Sequence, residues 1–124
     1  MSTTEEFSVI VIDDEIDIAE ILSESLGYDG FRSTFETDPQ KAIVQLKEQR
    51  IDVVLCDANM PGMKGLEVLK FITTLEHKPL YYLCTGDLDA NEDEIIGLGG
   101  TGLIMKPFSV SDVIDRIKKD LRIS

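Results

Sequence analysis

Residues 7–14 read F-S-V-I-V-I-D-D, a short apolar run that stops at two adjacent aspartates. The run is too short for a typical helix, and its valines and isoleucines predict a buried strand over residues 7–12. Residues 52–57, D-V-V-L-C-D, repeat the pattern and end at Asp57. Two predicted strands therefore both end in aspartate side chains.

Outward from these two strands, short apolar runs alternate with longer amphipathic stretches five times. The predicted strands cover residues 7–12, 31–35, 52–56, 79–84 and 101–105, and the predicted helices cover residues 15–26, 40–48, 66–72, 89–98 and 109–122. Five such β-α units predict an α/β fold, a doubly wound five-stranded parallel sheet with five helices on its two faces.

Two of the helices have clear boundary signals. Asp38 followed by Pro39 is typical of an N-cap and a first helical residue. Gly27 is expected to stop the first helix, which should bury one apolar face. The residues of that predicted face are Ile18, Ile21, Leu22 and Leu26.

Composition limits the classes of function. The 124 residues suit one domain, so residues 1–124 are expected to form a single domain without a separate output domain. Twelve basic and 24 acidic residues give a net charge of −12, which argues against direct binding to nucleic acid or anionic membranes. No signal peptide or membrane span is expected. Two cysteines, Cys56 and Cys84, fit a reduced protein of the cytoplasm.

Side chains that could bind a ligand or take part in a reaction follow four of the predicted strands. In a doubly wound sheet, ligands bind outside the carboxyl ends of the strands. Three carboxylates crowded there would repel one another by roughly 4 kcal/mol per pair at about 4 Å and an effective dielectric of about 20. Hard oxygen ligands without histidine or cysteine suit Mg²⁺, so a magnesium site is predicted. The residues at this edge are Asp13, Asp14, Asp57, Thr85 and Lys106.

The same residues suit phosphoryl transfer. A carboxylate can attack phosphorus to form an acyl phosphate, and the transition state then needs stabilisation of charge on its oxygens. Asp57 is the predicted nucleophile, while Lys106, the Thr85 hydroxyl and a metal ion would each take one oxygen. Taken alone, each residue is an ordinary cap, turn residue or solvated lysine. The prediction depends on their coincidence at one sheet edge.

Four segments of the chain carry these residues: V-I-D-D-E at 11–15, L-C-D-A-N-M-P-G-M-K-G at 55–65, L-C-T-G at 83–86 and M-K-P-F at 105–108. In this order they closely resemble the motifs of response-regulator receiver domains of two-component signalling, the CheY-like family. The resemblance covers essentially the whole chain. It implies a flavodoxin-like fold with strand order 2-1-3-4-5, and a stoichiometric phosphoacceptor rather than an enzyme.

The resemblance also implies a role for each motif residue. Asp57 would accept the phosphoryl group, Thr85 and Lys106 would contact it, and the bond between Lys106 and Pro107 would often be cis. The donor would be a phosphohistidine on a histidine kinase or histidine phosphotransfer protein. A downstream protein or output domain would dock on the fourth helix, fifth strand and fifth helix. The implied Mg²⁺ ligands are Asp14 directly, Asp13 mainly through water, Asp57, and the backbone carbonyl of Asn59.

Two departures from the family pattern concern the output. Leu103 lies three residues before Lys106, where the family usually has an aromatic residue that swings inward, so an aromatic readout is not expected. Residues 97–102, G-L-G-G-T-G, are rich in glycine, which raises the entropy cost of ordering a segment. We therefore expect phosphorylation to change the order of this region more than the rotamer of one side chain.

Other features have simpler explanations. The G-x-G-x-x-G pattern within residues 97–102 follows a predicted helix, whereas a dinucleotide-binding loop follows a strand. Cys56 and Cys84 are interpreted as buried small apolar residues, with a redox pair on neighbouring strands as the alternative. His77 is expected to be a solvated surface residue.

Three rival functions differ from a phosphoacceptor. A flavodoxin-like electron carrier needs a Ser/Thr/Gly phosphate loop after the first strand, where residues 13–15 are acidic. A phosphatase with an aspartyl nucleophile would have a second carboxylate at the position of Asn59. The alternative that stays open is a receiver-like module that binds protein without phosphorylation. The chain is either a stand-alone regulator or a receiver cut from a longer protein.

Overall fold

Five parallel strands form the central sheet of the computed structural model, which describes residues 3–123. The strands are β1 (Ser8–Ile12), β2 (Arg32–Glu36), β3 (Val53–Asp57), β4 (Leu80–Thr85) and β5 (Gly102–Met105), and their order is β2-β1-β3-β4-β5. The doubly wound sheet and the strand order 2-1-3-4-5 are therefore confirmed. Each observed strand lies within one or two residues of its prediction.

Five helices cover the two faces of the sheet. They are α1 (Ile16–Tyr28), α2 (Pro39–Glu48), α3 (Gly65–Ile72), α4 (Glu92–Gly97) and α5 (Val110–Leu121). Buried side chains of α2, α3 and α4 pack on one face, and those of α1 and α5 pack on the other. A 3-10 turn, Thr4–Glu6, precedes β1, and a hairpin of Asn59–Met60 with Met63–Lys64 follows β3. Within residues 3–123, none of the helices is long and apolar enough to cross a membrane.

The predicted end and face of α1 are partly wrong. The helix continues through Gly27 to Tyr28, and Gly30, with φ of 102°, provides the left-handed turn that follows. Ile21 is 57% exposed, while Ala19 is fully buried against the sheet. The buried residues of α1 are Ala19, Leu22, Ser23 and Leu26, so the helix is turned relative to the predicted face, and Ile21 lines a groove with Phe108 and Val110 instead. Gly30 is the stop because its positive φ favours glycine, whereas Gly27 has no positive φ.

The cap predicted for α2 is confirmed, and α5 shows the same arrangement. The Asp38 carboxylate accepts the Gln40 N–H at 2.9 Å, with Pro39 as first helical residue. Ser109 was predicted inside the last helix but is its N-cap. This shift by one residue is expected, since a capping residue has extended backbone angles while it accepts from the first turn.

The fourth helix is shorter than predicted. It begins after Asn91, whose side chain accepts the Asp93 N–H at 2.8 Å, and it ends before Gly99, with φ of 101°. Gly100 donates its N–H to the Ile95 carbonyl at 2.9 Å, and a side chain at position 100 would meet Ile95. The glycines thus build a defined helix end. A change of order on phosphorylation stays a prediction.

Candidate functional site

A lysine bridges two aspartates at the carboxyl edge of the sheet. The Lys106 Nζ atom lies 3.0 Å from Asp13 Oδ2 and 3.2 Å from Asp57 Oδ1. Asp13 follows β1, Asp57 ends β3 and Lys106 follows β5, so three separate strands bring the charges together. The Lys106–Pro107 peptide bond is cis, as the resemblance implies.

The two adjacent aspartates after β1 have different environments. Asp13 is buried, and its second oxygen accepts the Glu15 N–H at 2.9 Å. Asp14 is exposed. Asp13, Asp14 and Asp57 nevertheless each place a carboxylate oxygen within 4.8 Å of the others. Three hard oxygen donors at this separation, one of them on a buried side chain, fit a small divalent cation with room for water.

Burial and neighbouring charges shift the proton affinities of this site. Partial burial and then the negative charge of Asp13 raise the pKa of Asp57, while Lys106 opposes the shift. Burial alone would lower the pKa of Lys106, but its bonds to Asp13 and Asp57 outweigh that effect and raise it. The lysine therefore stays charged. Its positive charge favours the ionised form of Asp57.

Thr85 lies at the predicted edge, but its hydroxyl faces the loop that follows β4. The side chain is buried, and Oγ1 accepts the Asp87 N–H at 3.1 Å. The Thr85 carbonyl accepts the Lys106 N–H at 2.8 Å, which fixes the backbone beside the lysine. Among residues 3–123, Thr85 Oγ1 has no hydrogen bond to Asp57 or Lys106. Because Oγ1 accepts this bond through a lone pair, the Thr85 hydroxyl proton stays available to donate to a phosphoryl group on Asp57.

Asn59 begins the hairpin directly after Asp57, and backbone hydrogen bonds hold the hairpin base. The Ala58 N–H donates to the Cys84 carbonyl at 2.9 Å, and the Gly65 N–H donates to the Ala58 carbonyl at 2.9 Å. The chain at Asn59 is therefore anchored on both sides. These bonds hold in place the segment whose backbone carbonyl is the proposed metal ligand.

Sequence reasoning missed two residues that position the site. A Cβ atom on Gly65 would lie 2.6 Å from the Asp57 carbonyl oxygen and 2.6 Å from Leu83 Cδ1, so only glycine lets α3 start directly behind Asp57. The buried Tyr81 hydroxyl donates to the Gly65 carbonyl at 2.6 Å. A tyrosine in a buried strand needs such a partner, which is the signal that the sequence offered.

The two cysteines, His77 and Leu103 all lie outside the cluster of charged residues at the site. Cys56 and Cys84 are both buried, but they pack in the cores on opposite faces of the sheet, so the redox-pair alternative is wrong. His77 is exposed, as predicted, and its Nε2 lies 3.3 Å from Asp52 Oδ1. Leu103 is buried at the position where the family usually has an aromatic residue.

Comparison with known proteins agrees with this geometry. Residues 9–118 match the family model described as the response regulator receiver domain. The chain is 40% identical over 117 residues to a probable transcriptional regulatory protein, TcrX, of Mycobacterium tuberculosis. That match covers 93% of the chain but 50% of TcrX, so the chain spans about half the length of this relative.

Two solved structures are similar in fold and sequence. The chemotaxis response regulator CheY4 of Vibrio cholerae has a TM-score of 0.83 at 25% identity, over 91% of this chain and 97% of CheY4. The beryllofluoride-activated NtrC4 receiver domain dimer has a TM-score of 0.83 at 27% identity, over 93% of this chain and 96% of that chain.

Proposed function

The chain belongs to the family of response regulator receiver domains, and we propose that it accepts a phosphoryl group on Asp57 and thereby switches a protein-binding surface. The observation that carries this proposal is the position of Lys106 between Asp13 and Asp57, with Asp14 alongside. A nucleophilic carboxylate, a fixed cation and spare hard oxygen ligands are the components that phosphoryl transfer to a carboxylate needs.

In the proposed step, an Asp57 carboxylate oxygen attacks the phosphorus atom of a phosphohistidine. A P–O bond forms and the P–N bond breaks. The electron pair of the broken bond leaves with the imidazole, which takes up a proton. Each phosphoryl group stays on the protein until it is hydrolysed, so the chain acts as a stoichiometric acceptor rather than as an enzyme with a released product.

Charge neutralisation is the main contribution of the surrounding residues. Lys106 already contacts Asp57 Oδ1 and would lie beside the oxygens of a phosphoryl group added there. Asp13, Asp14, Asp57 and the Asn59 backbone carbonyl would hold Mg²⁺, which when bound would offset the negative charge of the phosphoryl oxygens. The buried carboxylate of Asp13 orients Lys106 through the 3.0 Å ion pair.

The proposed switch depends on Thr85. A phosphoryl oxygen on Asp57 would offer the Thr85 O–H a charged acceptor, and a shift of Thr85 towards it would lengthen the bond that Oγ1 accepts from the Asp87 N–H. Reversing a 1:99 population ratio to 99:1 requires about 5.5 kcal/mol of differential interaction. New contacts by Thr85 and Lys106 could supply it. The responding surface is proposed to be α4, β5 and α5, as the resemblance to receiver domains implies, and α4 is the helix that follows the Thr85 loop.

The biological context is also a proposal. Residues 1–124 are proposed to act as one receiver unit in the cytoplasm, with a histidine kinase or histidine phosphotransfer protein as donor. The signal would pass to a downstream protein or an output domain rather than directly to nucleic acid or a membrane. This agrees with the net charge of −12, which disfavours binding to polyanions.

The test is the intact mass after incubation with acetyl phosphate, with and without Mg²⁺. We expect a Mg²⁺-dependent gain of one phosphoryl group in the wild type and in Asp17→Asn, a control that changes an exposed aspartate of α1. Asp57→Asn should gain none, because the amide lacks a nucleophilic carboxylate. Uptake by Asp57→Asn would refute the site. No uptake by any folded variant, from acetyl phosphate or a phosphohistidine donor, would favour the phosphorylation-independent binding module.

A further inference from the structure

The edge of the sheet at β5 is closed by an ion pair. Glu92 Oε2 accepts the Leu103 N–H at 3.0 Å, and Arg116 Nη1 donates to the Leu103 carbonyl at 2.6 Å. Arg116 Nη2 and Glu92 Oε2 lie 3.1 Å apart. The two side chains thus occupy both hydrogen-bonding positions that a neighbouring strand would take at Leu103. This arrangement of Glu92, Arg116 and Leu103 is called the clamp below.

Further contacts hold the arginine in place. Its guanidinium lies 5.2 Å from the centre of the Tyr82 ring and 3.7 Å from Asp120 Oδ2. A Cβ atom on Gly102 would overlap the Arg116 guanidinium, so the glycine leaves space for it. The third glycine of the G-x-G-x-x-G pattern therefore has a role in the clamp rather than in nucleotide binding.

The clamp connects three elements of the proposed output surface. Glu92 is the first residue of α4, Leu103 lies on β5 and Arg116 lies on α5. Among the six residues of α4, Ile95 is the one that is buried. Because so little of α4 is held by apolar packing, polar contacts at its first residue carry a large share of its attachment to the sheet.

The start of α4 is also connected to Thr85. The intervening loop is short and internally bonded: Thr85 Oγ1 accepts the Asp87 N–H, and the Ala90 N–H donates to the Asp87 carbonyl at 3.2 Å. A movement of Thr85 towards a phosphoryl group would be passed along this loop to Glu92 and would weaken the contacts of Glu92 to Leu103 and Arg116.

We propose that Arg116 is a positioning residue that, through Glu92 and Leu103, holds α4 in its resting place and so opposes activation of the site at Asp57. This inference rests on the proposed function. The clamp stabilises the conformation in which Thr85 faces Asp87, and it is broken when Thr85 turns to the phosphoryl group.

The experiment measures binding of beryllofluoride with Mg²⁺, a mimic of the phosphoryl group, by isothermal titration calorimetry. Arg116→Met removes the contacts of Arg116 to Leu103 and Glu92, leaves the Leu103 N–H bond to Glu92, and keeps an apolar side chain over Tyr82. Lys118→Met is the matched control, since it removes one positive charge and one ion pair, to Asp29, from the same helix. Gly102→Ala displaces Arg116 without a change of charge.

We expect Arg116→Met and Gly102→Ala to bind beryllofluoride about threefold to tenfold more tightly than the wild type, the range for a partly exposed charged contact. Lys118→Met should bind like the wild type. A general loss of stability would not tighten binding, so a gain separates the clamp from a merely structural role. If Arg116→Met does not fold, Gly102→Ala decides.

Two results would overturn the inference in distinguishable ways. In the first, the wild type binds beryllofluoride, but Arg116→Met and Gly102→Ala bind it no more tightly than Lys118→Met does. This result would reject the clamp and leave the phosphoacceptor proposal intact. Absence of binding by the folded wild type would reject both.

Discussion

The Lys106 ammonium group lies 3.0 Å from the Asp13 carboxylate, although 93 positions separate the two residues in the chain. The same nitrogen contacts Asp57 at 3.2 Å. Asp13 is 4% exposed, so its charge is removed from water and depends on this lysine for compensation. Lys106 therefore does two things in the resting protein: it neutralises a buried carboxylate, and it stands beside the proposed phosphoacceptor.

The first prediction concerns competition between Lys106 and a metal ion. Lys106→Ala leaves the carboxylates of Asp13, Asp14 and Asp57 without a nearby cation, so we expect Mg²⁺ to bind at least about tenfold more tightly. The measurement is the rise in melting temperature with Mg²⁺ concentration, with Lys119→Ala, an exposed lysine of α5, as the control for net charge. Equal Mg²⁺ affinity in both variants would contradict the idea that the positive charge of Lys106 competes with Mg²⁺ for the three carboxylates.

The second prediction separates phosphoryl uptake from switching. Thr85→Ala should still gain a phosphoryl group on Asp57, but amide exchange in α4 should no longer respond to it, because no hydroxyl can turn to the phosphoryl oxygens. Thr85→Ser should respond like the wild type. Loss of the acceptor for the Asp87 N–H should also cost about 1 kcal/mol of unfolding free energy in Thr85→Ala. An α4 response in Thr85→Ala would show that the signal takes another route.

The third prediction concerns the pH dependence of the clamp. The hydrogen bond from the Leu103 N–H lowers the pKa of Glu92, and the charge of Arg116 lowers it further. Partial burial of the carboxylate opposes the shift but is outweighed. A lowered folded-state pKa means that the charged form contributes stability above the unfolded-state pKa, near 4.5, and loses it as pH falls through the folded-state pKa. The difference in unfolding free energy between the wild type and Glu92→Gln should therefore be constant from pH 7 to about 5 and shrink below it. Urea denaturation at several pH values measures it, and a difference that grows towards acid would refute the assignment.

The fourth prediction compares two glycines. Gly65→Ala should destabilise the fold by about 3 kcal/mol and reduce phosphoryl uptake, because the new methyl group would overlap the Asp57 carbonyl and Leu83. Gly97→Ala is the control, since a methyl group there meets nothing within 4 Å and Gly97 is the last residue of α4. It should stabilise the protein by about 0.5–1 kcal/mol. Urea denaturation gives the change in unfolding free energy for both variants. Similar changes would mean that the start of α3 can move away from Asp57 without cost.

Much of the fold could be predicted from local sequence. The β-branched run before Asp13 and the apolar run before Asp57 predict strands because they are too short for typical helices and rich in residues that favour strands. The Asp38–Pro39 pair predicts a helix start because a carboxylate can accept an N–H in the first turn. The site edge followed from topology, since parallel strands place their carboxyl ends together.

Local sequence could not decide which side chains face each other. Cys56 and Cys84 each precede a site residue, but in the register Asp57 lies opposite Cys84, so the two cysteines are offset by one residue and lie on opposite faces. Ile21 looked like a core residue by its helical spacing, yet Ala19 packs in the core instead, because the way α1 docks on the sheet decides which of its faces is buried.

The sequence by itself determined the elements, their order and the chemical groups at the strand ends, because these depend on backbone preference and side-chain spacing within a few residues. Only the tertiary structure decided that Lys106 pairs with Asp13 as well as Asp57, that Thr85 faces Asp87 and that Arg116 reaches Leu103 and Glu92. Those contacts depend on strand register and helix orientation, which packing of the whole sheet sets.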